Sequence, residues 1–510
     1  MDSRKSRVTI GTIVSYLQFI VQLILQLSLA PVILHIAGKE TLGAYAILLQ
    51  MISHLGLADL GMGTALNRFL SHAYGLDDQL RQFRRIFVTG RTFLFISNIA
   101  VAILVAGLSR YVGVIFSLKG GLEHDARISL YLLSVWIVLR TSLSVYNAAL
   151  MSVQKLGEYN VIALGGGVMR LVLSLALVFT GAGLVGLMIA NILAEALTFI
   201  SYRWRFKRSF PAMSFPWNKP DREILSAMLS FGFSSMIYSV GTRLTYNSDN
   251  IIVGYLFGAA GASLYYSTQA PAMNGYSLLW KLPQNASPAI AELNARDAKP
   301  SLQNSYYKLS RYVLFLAFPL SLGIFCFNRS FVSFWVGAKQ YAGDMMTVAL
   351  SLFPSLTAMT CVNGTYLFGS GKIVKLAIST IVAGTGNIFL SLWLGRHAGP
   401  AGVMISSVIA EGAYLIYTFH LVSAEYNIAV SRFMRESLLP ALASVLIVVP
   451  AAFMIFTMQR DTVELSAVLR NVTVFALLWM LGVWFLGLDS TERKSLGLQF
   501  GIVPRKDEGL

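Results

Sequence analysis

The chain has 510 residues, 55% of them hydrophobic and 13% charged, with a mean hydropathy of +0.64. Soluble domains carry about 25% charged residues, so this composition excludes a soluble enzyme or binding module and implies an integral membrane protein. The formal net charge of +16 is a topology signal rather than a nucleic-acid footprint, because the bases cluster in short segments between apolar runs.

From the N-terminus, MDSRKSR leads into an apolar run over residues 8–34. That run is too long for a signal peptide, lacks a small-residue cleavage site, and reads as a first transmembrane helix. Further spans of about 20 apolar residues follow at 41–70, 86–108, 128–152, 159–181, 183–202, 226–255, 259–290, 312–334, 345–368, 374–395, 401–422, 437–457 and 466–487. The expected fold is therefore all-α and polytopic, with about fourteen transmembrane helices. With a cytoplasmic N-terminus, most bases fall on the cytoplasmic side, RWRFKRSF at 203–210 among them. That segment reads as a charge anchor beside anionic lipid. Cys326 and Cys361 lie far apart in apolar surroundings and read as inert core residues.

The chain repeats itself. GLVGLMIANILAE (183–195) matches GPAGVMISSVIAE (399–411), pairing Gly183 with Gly399 and Glu195 with Glu411 at an offset of 216; Asn147 pairs with Asn363 at the same offset. PVILHIAG (31–38) aligns with IIVGYLFG (251–258) at an offset of 220, pairing Gly38 with Gly258 and Tyr45 with Tyr265. Helices 1–6 and 7–12 are thus two copies of one unit with the same orientation, an arrangement of transporters whose site lies between the halves. The implied domains are a six-helix lobe at 1–203, a basic cytoplasmic linker at 204–224, a second six-helix lobe at 225–430, and two additional helices with a tail at 431–510.

Within VGTRLTYNSDNIIVG (240–254) the span carries charge. On a helix of about 100° per residue, Ser235, Tyr238, Thr242, Tyr246 and Asp249 share one narrow sector, with Arg243 and Asn250 at its edge. Ser15, Gln18, Gln22 and Gln26 make the matching stripe on the first helix. Two such stripes imply a shared polar cavity. Asp59, Arg140, Arg170 and Lys281 are also expected deep in their helices, whereas Arg68 lies near a cytoplasmic end where snorkelling explains it equally well. A charge at the bilayer centre costs at least about 2.5–3.5 kcal/mol on insertion scales, so these residues point either to function or to a buried pair such as Arg243 with Asp249. Cations outnumber carboxylates among them, and an arginine fork suits phosphate.

GLADLGMGTALNRFLSHA in helix 2, SDNIIVGYLFGAAGASLYYST in helices 7–8, and the later FWVGAKQYAGD and LFGSGK carry a resemblance. On these stretches the chain resembles the polysaccharide-repeat-unit flippases, the O-antigen and exopolysaccharide flippases of the multidrug/oligosaccharidyl-lipid/polysaccharide exporter superfamily. The resemblance implies a V-shaped pair of lobes in the bacterial inner membrane. It implies export of an oligosaccharide on undecaprenyl pyrophosphate by alternating access, with no cofactor beyond a coupling proton or sodium ion or the membrane potential. Its partners would be the polyprenyl-linked substrate, membrane lipid, and polysaccharide polymerase or export proteins, with no nucleic acid. Carried over, Arg243, Lys281, Arg140, Arg68 and Arg170 would hold the pyrophosphate. Tyr238, Tyr246, Gln18, Gln22, Gln26 and Asn250 would meet the sugars, and Asp249 or Asp59 would take the ion. Fourteen helices instead of twelve also make the chain look partly like the lipid II flippase. The rival readings are a multidrug or small-solute exporter, which should prefer cations, and a membrane glycosyltransferase or polymerase, which needs a larger external loop than 109–127.

Overall fold

A computed structural model describes residues 23–24, 27–55, 59–74, 79–153, 155–211, 215–458, 464–490 and 492–493. Among these residues the chain is predominantly helical. The helices are α1 (Leu27–Ala37), α2 (Lys39–Leu55), α3 (Met62–Tyr74), α4 (Gln79–Leu108), the short α5 (Val112–Ile115), α6 (Gly121–Ser152), α7 (Leu156–Phe179) and α8 (Gly183–Ser209). They continue with α9 (Arg222–Tyr246), α10 (Asp249–Ala295), α11 (Lys299–Val336), α12 (Asp344–Gly369), α13 (Ile373–Tyr426), α14 (Val430–Phe433), α15 (Leu439–Leu446), α16 (Val449–Met458) and α17 (Leu465–Gly482). Among the described residues, eight runs are long and apolar enough to cross a membrane, or ten when each of two bent pairs counts as a span. Two of these, Arg222–Ala295 and Val374–Tyr426, contain 74 and 53 residues. At 1.5 Å per residue each is far longer than a hydrocarbon core about 30 Å thick, so each holds more than one crossing. The protein is an all-α polytopic membrane protein.

Two expected spans are broken. The run 41–70 stops at Leu55 and restarts at Met62. Leu60 (φ 51°) and Gly61 (φ 73°) are consecutive left-handed residues, a conformation a helix cannot continue through. Asp59 therefore lies in a turn ahead of α3, not inside one long helix. The run 226–255 breaks after Tyr246, where Asn247 leaves helical geometry (φ −125°, ψ 17°), and α10 begins at Asp249. Asn, Ser and Asp in succession offer side-chain alternatives to the helical ladder. Asp249 and Asn250 thus start the next helix instead of completing the polar stripe of α9.

The repeat reappears in backbone geometry. Gly38 (φ 87°) separates α1 from α2, and its mate Gly258 (φ 69°) is the kink in α10; Gly183 (φ 51°) opens α8, and its mate Gly399 (φ 65°) is the kink in α13. Left-handed backbone at both members of each pair is what glycine permits at no steric cost.

By contact the chain divides into two units, one of residues 1–267 with 373–403 and the other of 268–372 with 404–510. Residues 225–267 and 373–403, which the repeat assigns to the second lobe, pack in the first unit. The first unit is cored by Met62, Leu66, Phe83, Phe87, Tyr146 and Phe206. The basic linker between α8 and α9 is part of that core: Phe215 stacks on Phe87 with ring centroids 4.0 Å apart. Buried Arg91 donates to the Pro216 carbonyl at 2.8 Å and lies 4.1 Å from the centre of the Trp217 ring. Asp221 caps α9 and pairs with Arg85 at 2.5 Å. Hydrogen bonding from Arg85 holds the Asp221 carboxyl below its ordinary range. The pair therefore persists at neutral pH and is lost only as pH falls through that depressed value. In the second unit, Leu314, Phe315, Met359, Ala441 and Leu488 join α11 and α12 to the C-terminal helices. Arg311 pairs there with Glu492, both side chains being nearly buried.

Close helix crossings in the first unit depend on glycine. A Cβ on Gly43 of α2 would lie 1.7 Å from the Ala259 carbonyl oxygen of α10, whereas one on Gly165 of α7 would meet nothing within 4 Å. Gly43→Ala is expected to lower stability by about 1–3 kcal/mol or more, because only a backbone shift can relieve the clash. Gly165→Ala should be neutral or stabilising by up to about 1 kcal/mol. Thermal unfolding of the two purified variants in detergent checks the contrast, and equal behaviour would contradict the crossing.

Candidate functional site

The site is built on α6, whose interior carries Arg140. One turn back, the Trp136 indole N–H donates to Glu195 Oε2 on α8 at 2.5 Å, and Arg140 Nη1 reaches Glu195 Oε1 at 3.1 Å. Arg140 is thus paired with a carboxylate from the neighbouring helix. At the next residue, Asn98 of α4 donates to the Thr141 hydroxyl at 3.1 Å. The turn before α3 brings Asp59 to the same place. Its Oδ1 accepts from the Gly61 N–H at 3.0 Å and its Oδ2 from the Gly63 N–H at 3.3 Å, which satisfies donors that the start of α3 would otherwise leave unmet.

These elements enclose a cavity of about 400 Å³, lined by Asp59, Asn67, Asn98, Arg140, Ser144 and Asn147, with Phe199 in its apolar wall. The cavity lies wholly within the first unit. Asp59 and Arg140 were each legible as deep charged positions, and the structure brings them together with Ser144 and Asn147. Arg243 is half-buried near the end of α9 and donates to the Ser53 hydroxyl at 3.4 Å. It lies within electrostatic reach of both Asp59 and Arg140. Its expected partner Asp249 is buried at the start of α10 and accepts from the Tyr265 hydroxyl at 2.7 Å.

Other expected site residues lie elsewhere. Arg68 is exposed and stacks over Phe231 at 4.2 Å. Arg170 on α7 is half-buried, within electrostatic reach of Tyr45 and Tyr266. Tyr238 and Tyr246 are half-buried on α9, and Asn250 is buried, its backbone N–H donating to Gln50 Oε1 at 2.9 Å. Lys281 is half-buried in the second unit. Gln18, Gln22 and Gln26 lie outside the described residues. Among the described residues no group of three or more His, Cys, Asp and Glu is placed to hold a metal.

Three contributors were not read from the sequence as site residues. Glu195 was assigned to fold architecture because it is duplicated as Glu411. Asn98 stood in an unremarkable apolar helix. His54 ends α2, with Nδ1 2.8 Å from the Gln50 carbonyl and Nε2 3.3 Å from the Ser248 hydroxyl. Only Glu195 carried a usable signal, since a glutamate in an apolar span requires a partner.

The sequence profile described as "Polysaccharide biosynthesis protein" matches residues 35–342. A comparison with curated protein sequences finds no match. Among solved structures the chain is similar to the lipid II flippase MurJ in an inward closed conformation. That match has a TM-score of 0.71 and 14% identity, and it covers 96% of this chain and 99% of that one. It is also similar to an inward-facing multidrug resistance MATE family transporter of the MOP superfamily (TM-score 0.69, 16% identity, covering 80% and 94%). A third similar structure is a MOP superfamily transporter from Pyrococcus furiosus described as having a binding pocket of reversed polarity (TM-score 0.60, 16% identity, covering 83% and 96%). These likenesses establish the fold.

The Arg140–Glu195 pair has a measurable consequence. Arg140→Ala leaves Glu195, about one-third exposed, without its counter-ion. It should lower stability by about 1–3 kcal/mol, below the range for a fully buried pair. Adding Glu195→Gln removes the stranded charge and should recover part of that loss. A double-mutant cycle on thermal unfolding checks this; strictly additive losses would show that the two residues do not interact.

Proposed function

The chain belongs to the polysaccharide biosynthesis protein family, and on that premise we propose that it is a flippase for a lipid-linked oligosaccharide. The proposed substrate is a repeat unit on undecaprenyl pyrophosphate. It is moved by alternating access across the bacterial inner membrane for surface polysaccharide synthesis, with the basic linker facing the cytoplasm. The substrate's bonds are left intact, so the protein is not an enzyme. The similarity to a lipid II flippase over nearly the whole chain supports this reading.

The observation that carries it is Arg243. A guanidinium within the apolar run Arg222–Ala295 carries a burial cost, about 2.5–3.5 kcal/mol at the bilayer centre on insertion scales. Its described hydrogen bond is donated to a neutral hydroxyl, that of Ser53, at 3.4 Å. Arg140, by contrast, already faces Glu195. Arg243 therefore has capacity for a diphosphate, whose oxygens match its planar fork. The coupling ion, a proton or sodium, is assigned to Asp249 or Asp59. Asp249 is a 3%-exposed carboxylate at a helix break, and a monovalent cation there would offset the cost of burying its charge.

Two measurements test the proposal. In cells lacking their own copy, Arg243→Ala should insert normally yet support little or no surface polysaccharide, whereas Arg243→Lys should retain part of the activity. Normal polysaccharide with Arg243→Ala would sink the phosphate assignment. In proteoliposomes, Asp249→Asn should translocate a fluorescent undecaprenyl-pyrophosphoryl sugar without responding to an imposed proton or sodium gradient. An unchanged response moves the ion to Asp59. Stabilisation by lipophilic cations instead of pyrophosphoryl lipids would favour an exporter like the multidrug transporters of this fold.

A further inference from the structure

We infer that the cavity of the first unit is a subsite for an uncharged sugar ring, distinct from the phosphate contact at Arg243. This rests on the flippase reading and specifies which part of the substrate is recognised, and where. The volume of about 400 Å³ lies at the lower end of the range of about 300–1,000 Å³ for small-ligand pockets. That suits one or two rings better than an extended oligosaccharide.

The lining chemistry is that of a hydroxyl reader. Asn67, Asn98 and Asn147 offer amides and Thr64 and Ser144 offer hydroxyls, with Phe199 as an apolar face. Asn147 Oδ1 is shielded from solvent and meets no hydrogen-bond partner. Asn147 as a whole is half-buried and lines the cavity, so its amide keeps hydrogen-bonding capacity that the surrounding protein leaves unused, and a small rotation of the side chain would offer it to a sugar hydroxyl or N-acetyl group.

The repeat provides an internal control. Asn363, the mate of Asn147, is completely buried; it accepts from the Tyr306 hydroxyl at 2.7 Å and donates to Thr418 at 3.1 Å. The same asparagine is closed into a hydrogen-bonded network in the second copy and lines a cavity, with its Oδ1 unmatched, in the first.

Charge selects the class. The one cation of the lining, Arg140, is matched by Glu195 at 3.1 Å, and Asp59 adds a carboxylate. Arg243 is not part of the lining. A uronic acid or a phosphate would meet Asp59 without an uncommitted cation, whereas a neutral sugar would find acceptors and donors for its hydroxyls.

The test is saturation-transfer-difference NMR on the full-length protein in detergent, with the methyl glycosides of glucose, N-acetylglucosamine and glucuronate, and with inorganic pyrophosphate as competitor. Neutral glycosides should show transfer that pyrophosphate does not displace. Their affinity should weaken about 3- to 10-fold, the loss of a hydrogen bond, in Asn147→Leu and in the milder Ser144→Ala; glucuronate should show little transfer. Thermal unfolding confirms that the variants are folded. No transfer from neutral glycosides, equal transfer from glucuronate, or transfer indifferent to both substitutions would each overturn the subsite. Translocation of a fluorescent undecaprenyl-pyrophosphoryl N-acetylglucosamine, run in parallel, separates the two claims. Translocation without glycoside binding overturns the subsite alone. Glycoside binding without translocation overturns the flippase reading and leaves the pocket a site for free sugar.

Discussion

In a hydrocarbon environment every backbone N–H and carbonyl must be answered from within the protein. A helix that breaks there needs a local substitute for its lost bonds. At the first break the substitute is Asp59, whose carboxylate takes the N–H groups of Gly61 and Gly63. The rest of the site depends on that turn. Gly61 packs so closely on α9 that a Cβ there would lie 2.2 Å from the Gly232 carbonyl oxygen. With that contact the end of α2 reaches α9, and Ser53 meets Arg243. One backbone requirement thus places a carboxylate, a cavity wall and the neighbour of a buried arginine.

The duplicated unit shows how the same scaffold resolves in two ways. Glu195 meets Arg140 and Trp136, while its mate Glu411, completely buried, accepts from the Thr360 hydroxyl at 2.5 Å. At the offset of 216 the position of Arg140 is taken by Leu356. The second copy therefore lacks a cation at that position, and its asparagine is closed into a tyrosine–threonine network. The first copy carries Arg140 and opens its asparagine on a cavity. Duplication established the helices; divergence of a few polar positions gave the two units different interiors.

The parts of the fold set by solvent transfer were legible in the sequence. Apolar length located the helices, and the spacing of glycines located joints that recur as left-handed backbone at Gly38 and Gly258 and at Gly183 and Gly399. The breaks at 59–61 and 247–248 were hidden because hydropathy runs smoothly through them. A helical wheel drawn across Asn247 and Ser248 assigns Asp249 to a face it does not occupy. The Arg140–Glu195 pair was hidden for another reason. It joins residues 55 apart on neighbouring helices, and composition does not say which deep charges cancel. A count of buried cations therefore does not give the number that stand unmatched, since Arg140 faces Glu195.

That cancellation bears on how a transporter can work reversibly. A cavity lined by several unmatched arginines would hold a diphosphate too tightly to release it, and when empty would carry uncompensated charge at several kcal/mol per ion. Here Arg140 of the lining is paired with a glutamate, and Arg243, outside the lining, stands within electrostatic reach of Asp59. Under the proposed function, Asp59 partly offsets Arg243 when the site is empty and weakens its hold when a phosphate is present. Both effects narrow the energy gap between the loaded and unloaded states. Because a ligand shifts a conformational equilibrium only by its differential affinity for the two states, a small gap favours turnover over trapping. Matching the charges within the first unit is thus a condition for release as well as for stability.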